Sequence, residues 1–196
     1  MKTYALIGDS HTQVVFPFLE DILMEKGNQV VVSKPMAGWT VKKHLQDGLS
    51  SLISNAKPDV LLISLGGNNQ NLSNSYMESI NAIMQIAKEN SIKEVIWVSP
   101  AWAIRDDVQI RHEWTSNFLK ANLPKRVRFI DIRPITKDGH RSDGVHFTRE
   151  KYKEWANYVA QKIDYGLAIT SIPKWTWYVS GGFVILSLGI YLWKKK

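Results

Sequence analysis

Short apolar runs alternate with longer amphipathic segments along most of this chain. Five runs rich in valine and isoleucine are bounded by Gly, Pro, Asn or Asp, which is typical of buried strands. These predicted strands are Tyr4–Ile7, Gln29–Val32, Asp59–Leu65, Glu94–Ser99 and Val127–Ile132. Helical patterns follow them at Gln13–Lys26, Val41–Asn55, Ser75–Asn90, Val108–Asn122 and Arg149–Tyr165. Because strands that alternate with helices form parallel sheets covered on both faces, we expect a three-layer α/β/α sandwich around a five-stranded parallel sheet.

The pattern changes after the last predicted helix. Residues 175–193 hold 19 consecutive residues without a charge, nearly enough to cross a membrane core. Aromatic residues lie at both ends of this run and lysines flank it, as at membrane interfaces. The sequence therefore predicts a domain over 1–167, a linker over 168–174, a transmembrane helix from Trp175 to Trp193 and a basic tail over 194–196. A buried amphipathic helix is the alternative, but the second half of the run is apolar around its whole circumference.

Two signals bear on the side of the membrane, and they disagree. Met1–Ile7 continues directly into Gly8 as a strand, so we expect no signal peptide and favour a domain on the cytoplasmic side. The three terminal lysines favour a cytoplasmic C-terminus instead. The membrane of a virion would also suit a small anchored protein. The glycines of the membrane segment form no strict GxxxG motif, so no oligomeric state is predicted.

Composition and charge exclude several classes of function. The chain has no cysteine, which excludes a disulfide scaffold, a thiolate metal site and a cysteine nucleophile. Lys174 and Lys194–Lys196 supply four of the seven net positive charges, so the domain itself is only modestly basic and no nucleic-acid partner is expected. His11, His44 and His112 have no metal-ligand spacing. We therefore expect neither a metal nor another cofactor.

Four short clusters carry candidate chemistry, and each lies beside a predicted element boundary. Gly8–Ser10 follows the first strand, Gly38 lies in the loop after the second, Gly66–Asn69 follows the third, and Asp143–His146 precedes the last helix. Trp102 follows the fourth strand. Ligands of open α/β sheets bind beyond the carboxyl ends of the strands, so these positions are expected to meet at one edge of the sheet.

The residue types in these clusters suit acyl transfer. A serine hydroxyl such as that of Ser10 is a weak nucleophile unless a base takes its proton, and the imidazole of His146 is a suitable base. Asp143 can accept a hydrogen bond from the other ring nitrogen and orient the imidazole. The backbone N–H groups of Ser10 and Gly38 and the side-chain amide of Asn68 can bind the oxyanion. Gly38 has no side chain to hinder that approach.

Each cluster taken alone has a simpler interpretation. Ser10 could cap the following helix, Gly66–Asn69 could be a turn at the end of a strand, and Asp143 and Gly144 could form a tight turn. His140, which follows Asp138 by two residues, is a competing candidate for the base. The order and spacing of all four clusters together favour a hydrolase site.

The four clusters resemble the sequence blocks of the SGNH hydrolases, also called GDSL-type esterases and lipases. The resemblance spans Leu6–His146. Gly8–Ser10 is similar to the nucleophile block, Gly38 to the glycine block, Gly66–Asn69 to the GxND block and Asp143–His146 to the DxxH block. It implies a flavodoxin-like SGNH hydrolase fold, a catalytic triad of Ser, His and Asp, and an oxyanion hole made by the Ser, Gly and Asn positions.

The chain departs from the family pattern at two positions. His11 stands where the family often has leucine, and Asn69 stands where aspartate is usual. The expected function is a serine esterase that removes a small acyl group, with acetyl as the first choice, from a cell-wall or envelope glycan. Asn69, Trp39 and Trp102 are the expected substrate-binding residues. A lipase or lysophospholipase acting on membrane lipid esters is one alternative. A catalytically silent, membrane-anchored binding or structural protein is the other.

Overall fold

The structure, a computed structural model, describes residues 1–69 and 74–171 of the chain. Five strands follow one another in these residues: β1 Thr3–Gly8, β2 Gln29–Pro35, β3 Val60–Ser64, β4 Glu94–Val98 and β5 Val127–Ile130. Six α-helices alternate with them: α1 Thr12–Glu25, α2 Val41–Gln46, α3 Leu49–Ala56, α4 Asn74–Glu89, α5 Asp106–Asn122 and α6 Arg149–Ser171. A short 3₁₀ helix, Arg133–Ile135, follows β5.

The five strands form one parallel sheet in the order β2-β1-β3-β4-β5. The chain runs outward from β1 to β2 and then crosses to the other side of β1 to form β3. This reversal creates a crevice between the loops that follow β1 and β3, the usual place for a ligand in such a sheet. The expected five-stranded parallel sheet is confirmed.

Alternation of side chains along β1 explains the layers. Ala5 and Ile7 belong to a core that also includes buried side chains of α2, α3 and α4. Tyr4 and Leu6 point to the opposite face, as successive residues of a strand must, and they are equally buried. On that face α1 packs against β1 and β2. Apolar side chains on both faces account for the continuous hydrophobic runs in the sequence, and the predicted three-layer α/β/α arrangement is confirmed.

One predicted helix is wrong, because the segment expected to be continuous over Val41–Asn55 forms two helices. Thr40 caps the first by accepting a hydrogen bond from the Lys43 N–H at 3.2 Å. The break falls at Gly48, whose φ of 80° lies in the left-handed region that ends helices. The amphipathic pattern continues through this break, and the break brings Val41 and Leu49 to the same core.

The end of the chain is described only as far as Ser171. The chain divides into a compact unit over Met1–Ala160 and a second that begins at Gln161, whose described part is the continuation of α6. This helix extends into the segment predicted as a linker, 168–174. No helix within 1–69 and 74–171 is long and apolar enough to cross a membrane. The predicted membrane helix at 175–193 and the basic tail at 194–196 lie outside the described residues.

Candidate active site

Ser10 lies in the turn between β1 and α1, at the crevice. The Thr12 hydroxyl donates a hydrogen bond to the Asp9 carbonyl at 2.7 Å, and the Asp9 carboxyl accepts one from the His11 N–H at 3.1 Å. His11 occupies the N-cap position of α1, and no side chain caps this helix. The alternative role of Ser10 as a helix cap is therefore wrong. Its Oγ instead lies 3.1 Å from Nε2 of His146.

The loop before α6 joins His146 to Asp143. Nδ1 of His146 lies 2.8 Å from one carboxylate oxygen of Asp143. The other oxygen accepts hydrogen bonds from the backbone N–H groups of Val145 at 2.9 Å and His146 at 2.8 Å. Desolvation opposes ionisation of Asp143, but these hydrogen bonds outweigh it and hold the pKa of this carboxyl below its ordinary value. An ionised Asp143 favours the tautomer with hydrogen on Nδ1, which leaves Nε2 free to accept the Ser10 proton.

Backbone contacts hold this loop in place. The Arg141 N–H donates to the His146 carbonyl at 2.7 Å, and the Ile104 N–H donates to the Gly144 carbonyl at 2.8 Å. His140 lies in the same segment, but its Nε2 is 3.0 Å from the Trp102 carbonyl and its ring packs 4.4 Å from that of Phe147. His140, the competing candidate for the base, is thus engaged away from Ser10.

The three candidate oxyanion donors come from the loops after β1, β2 and β3. In the described part of the chain, the backbone N–H groups of Ser10 and Gly38 make no hydrogen bond. The Asn68 side-chain amide donates to the Trp39 carbonyl at 3.3 Å, which ties two loops together and leaves one amide hydrogen available. Gly38 has a φ of 74° with open space around it, so backbone conformation rather than crowding by the protein explains the glycine there.

An open cavity of about 330 Å³ lies over Ser10 and His146. The loops after β1 and β3 and the loop before α6 form three of its walls, and the start of α5 forms the fourth. From this last wall come Arg105, Val108, Arg111 and His112, none of which the sequence motifs mark as part of the site. A usable signal was present: a helix that follows β4 begins at the same edge of the sheet as the catalytic loops, so its first turns face the crevice.

Two buried ionisable side chains lie beside Ser10. Burial raises the pKa of Asp9 to about 7 and lowers the pKa of His11 to about 3. The His11 ring packs 5.0 Å from the His146 ring, and its Nδ1 lies 3.1 Å from the Tyr152 hydroxyl. Because His11 is neutral at physiological pH, it places no positive charge against His146. The imidazole at this position behaves as a buried neutral group.

The candidate substrate residues are placed less uniformly than the triad. Asn69 lines a second cavity, of about 420 Å³, which also includes Gly38 and Asn68. Trp39 and Trp102 line neither cavity. The Trp39 ring packs edge-on against the His44 ring, with 4.9 Å between the ring centroids. The backbone carbonyl of Trp102 lies within hydrogen-bond distance of the His140 ring. The structure therefore brings Asn69 to the crevice but does not bring the two indoles into its walls.

The fold is shared with solved ester hydrolases. A family 3 carbohydrate esterase from Clostridium thermocellum matches with a TM-score of 0.67 and 20% identity, covering 86% of this chain and 98% of its own. An acetylxylan esterase from Geobacillus stearothermophilus gives 0.67 and 16%, with coverage of 83% and 94%. A lipase/acylhydrolase from Enterococcus faecalis gives 0.61 and 19%, with coverage of 83% and 95%. No protein-family model matches the chain, and no curated protein sequence matches it significantly.

Proposed function

We propose that the protein is a serine ester hydrolase with Ser10 as nucleophile, His146 as general base and acid, and Asp143 as the residue that orients the imidazole. The observation that carries this proposal is the hydrogen-bonded chain from Ser10 Oγ through the His146 ring to Asp143, with links of 3.1 and 2.8 Å. It joins residues 136 positions apart in the sequence. Such a chain supplies a nucleophile, a proton acceptor and a fixed tautomer at one point.

The proposed reaction proceeds through a covalent acyl-enzyme. Ser10 Oγ attacks the ester carbonyl while its proton passes to Nε2 of His146. The negative charge on the carbonyl oxygen is stabilised by the N–H groups of Ser10 and Gly38 and by the Asn68 amide. His146 then gives its proton to the leaving alcohol. Water, deprotonated by His146, attacks the acyl-enzyme in the second half. Ser10 regains its proton from His146 as the carboxylic acid leaves, and the acid then loses its own proton to solvent.

A short acyl group on a carbohydrate is the substrate we favour. The described side chains around the cavity are mostly polar or charged, and Val108 and Val145 are the aliphatic ones among them. A long acyl chain needs an extended apolar wall, which this cavity does not provide in the described residues. Two of the matching structures act on acetylated carbohydrate or belong to a carbohydrate esterase family, and we extend that substrate class to this protein.

Cleavage of lipid esters is the second candidate. A lipase/acylhydrolase is among the matching structures, and the predicted membrane helix at 175–193 would hold the crevice near a bilayer. This tether to a membrane rests on the sequence alone.

The nucleophile is tested by labelling the full-length chain with a fluorophosphonate and locating the modified peptide. We expect the label on Ser10, no label on a Ser10→Ala variant, and full labelling of a Ser33→Ala control, which changes an exposed serine of β2. Labelling of Ser10→Ala at an equal rate would contradict the proposed nucleophile.

Hydrolysis of 4-nitrophenyl acetate and 4-nitrophenyl octanoate then separates the two substrate classes, because a clear preference for octanoate favours the lipase.

A further inference from the structure

One cationic side chain on the wall of the cavity is held in place with no acidic partner in residues 1–69 and 74–171. Arg111 of α5 is half-buried, and its Nε donates a hydrogen bond to the Gly67 carbonyl at 3.0 Å. Among the described residues, the Arg111 guanidinium makes this hydrogen bond and no other. The contact fixes the side chain through its inner nitrogen and leaves the two outer nitrogens, with four N–H donors, available to a ligand.

The other charges around the cavity are already paired. Arg105 donates two hydrogen bonds to the Asp107 carboxylate, at 3.1 and 2.7 Å. Asp143 is engaged by the His146 ring at 2.8 Å. With these contacts set aside, Arg111 is the cationic group of the wall that forms no ion pair among the described residues.

The buried groups nearby do not supply that counter-charge either. Burial raises the pKa of Asp9 to about 7, so its carboxyl keeps its proton in weakly acidic solution. Burial also lowers the pKa of His112, the residue next to Arg111, which keeps that imidazole neutral. Arg111 therefore places a positive charge that is in no ion pair with a described residue beside the proposed oxyanion site, since Gly67 directly precedes Asn68.

We propose that Arg111 binds an anionic group on the substrate, and that the preferred ester is carried by an acidic sugar. This inference rests on the proposed esterase function and names its substrate class. A guanidinium anchored at Nε presents a planar pair of donors, which suits a carboxylate better than a hydroxyl. The carboxylate would lie on the sugar near the acylated position, while the ester carbonyl lies between Ser10 and Asn68.

A purely structural role for Arg111 makes a different prediction. If its only task is to hold the Gly67 carbonyl and so position Asn68, its loss lowers hydrolysis of every ester by the same factor. If it binds an anion, its loss acts chiefly on acidic substrates. The ratio of kcat/KM for an acidic and a neutral ester is therefore the measurement that separates the two.

The test uses two esters that differ only at C6, which is a carboxylate in methyl 3-O-acetyl-glucuronoside and an uncharged hydroxymethyl group in methyl 3-O-acetyl-glucoside. We expect the full-length wild-type protein to prefer the glucuronoside by about 10-fold to 100-fold in kcat/KM, the range of a charge-assisted hydrogen-bonded pair. Arg111→Gln should bring the ratio near one, and Arg111→Lys should keep part of the preference. The preference should also fall as salt is added. Arg126→Gln is the matched control and should keep the ratio within about twofold, because Arg126 is an exposed arginine just before β5, at the edge of the sheet opposite the cavity.

Two results would overturn the proposal while leaving the esterase intact: equal kcat/KM of the wild-type protein for both esters, or an equal loss on both in Arg111→Gln. If the wild-type protein hydrolyses neither ester, the proposed function is in question and binding decides the inference separately. Titration calorimetry with D-glucuronate and D-glucose should then show glucuronate binding that is lost in Arg111→Gln. Absence of glucuronate binding to the wild-type protein would refute the anion site.

Discussion

The buried carboxyl of Asp9 predicts an unusual dependence of stability on pH. Asp9 is only 5% exposed, and burial raises its pKa from 3.8 to about 7. Asp9→Asn keeps the shape of the side chain and the oxygen that accepts from the His11 N–H. The substitution therefore removes the ionisable proton of residue 9 and changes little else in the folded structure.

The sign and size of the effect follow from the two pKa values. Between pH 3.8 and about 7 the folded protein holds a proton on Asp9 that the unfolded chain releases, so this contribution to stability is present in acid and is lost as pH rises through 7. At about 1.4 kcal/mol for each pH unit of that interval, the loss amounts to about 4 kcal/mol. The Asp9→Asn variant has no ionisable group at this position, so its stability does not fall for this reason. Relative to the wild-type protein, the variant should therefore gain about 4 kcal/mol of unfolding free energy between pH 4 and pH 8.

His11 makes the comparison with wild type necessary. Burial lowers its pKa from 6.5 to about 3, so its contribution is present above pH 6.5 and is lost as pH falls toward 3. The two contributions oppose each other between about pH 4 and 6.5, and the wild-type profile alone hides both. The difference in unfolding free energy between wild type and Asp9→Asn isolates Asp9.

Urea unfolding followed by tryptophan fluorescence at pH values from 4 to 8 measures this difference. Asp21→Asn is the matched control, because Asp21 is an exposed carboxyl on α1, and it should show a small difference that varies little with pH. A difference for Asp9→Asn that is the same at pH 4 and pH 8 would refute the reasoning, because it would mean that Asp9 does not hold a proton in the folded state.

Three further substitutions test separate parts of the site. Asn68→Ala should lower kcat on 4-nitrophenyl acetate by about 100-fold to 1000-fold with little change in KM, because it removes one oxyanion donor; unchanged kcat would exclude that role. Asp143→Asn should lower kcat by up to about 10,000-fold, because an amide can stabilise the wrong tautomer of His146, and a matching loss of fluorophosphonate labelling rate would support this. Gly8→Ala should lower the unfolding free energy by about 1 to 3 kcal/mol, since the added methyl would lie 2.2 Å from the Thr12 hydroxyl oxygen; an unchanged urea midpoint would contradict it.

The sheet and the meeting of the catalytic clusters were predictable because they depend on local composition. A central parallel strand is buried on both faces, so β3 is a continuous apolar run that ends where Gly66 begins the next loop. The carboxyl ends of parallel strands share one edge of the sheet. The sequence therefore predicts that Ser10 and Asn68 lie near each other, and both line the same cavity.

Features that depend on side chains from different elements were not predictable. The pattern over Val41–Asn55 is amphipathic throughout, and only the left-handed backbone at Gly48 separates two helices. Trp39 and Trp102 follow strands at the correct edge, but their side-chain directions are set by packing, which sequence position does not give. The partner of Arg111 is a backbone carbonyl 44 positions away, and no pattern of residue types encodes that contact.

The stability that the fold loses to the side chains of this site argues against the catalytically silent alternative. A buried carboxyl at Asp9 and a buried imidazole at His11 each destabilise the fold over part of the pH range. Arg111 brings to the same cavity a guanidinium that has no acidic partner among the described residues. Groups of this kind collect at functional sites, where their chemistry outweighs their effect on stability. A protein that used this fold only as an anchored scaffold would be more stable with apolar residues at Asp9 and His11. Stabilisation by Asp9→Asn at pH 8 together with loss of turnover in Asn68→Ala is therefore the combination that a catalytic crevice predicts and a scaffold does not.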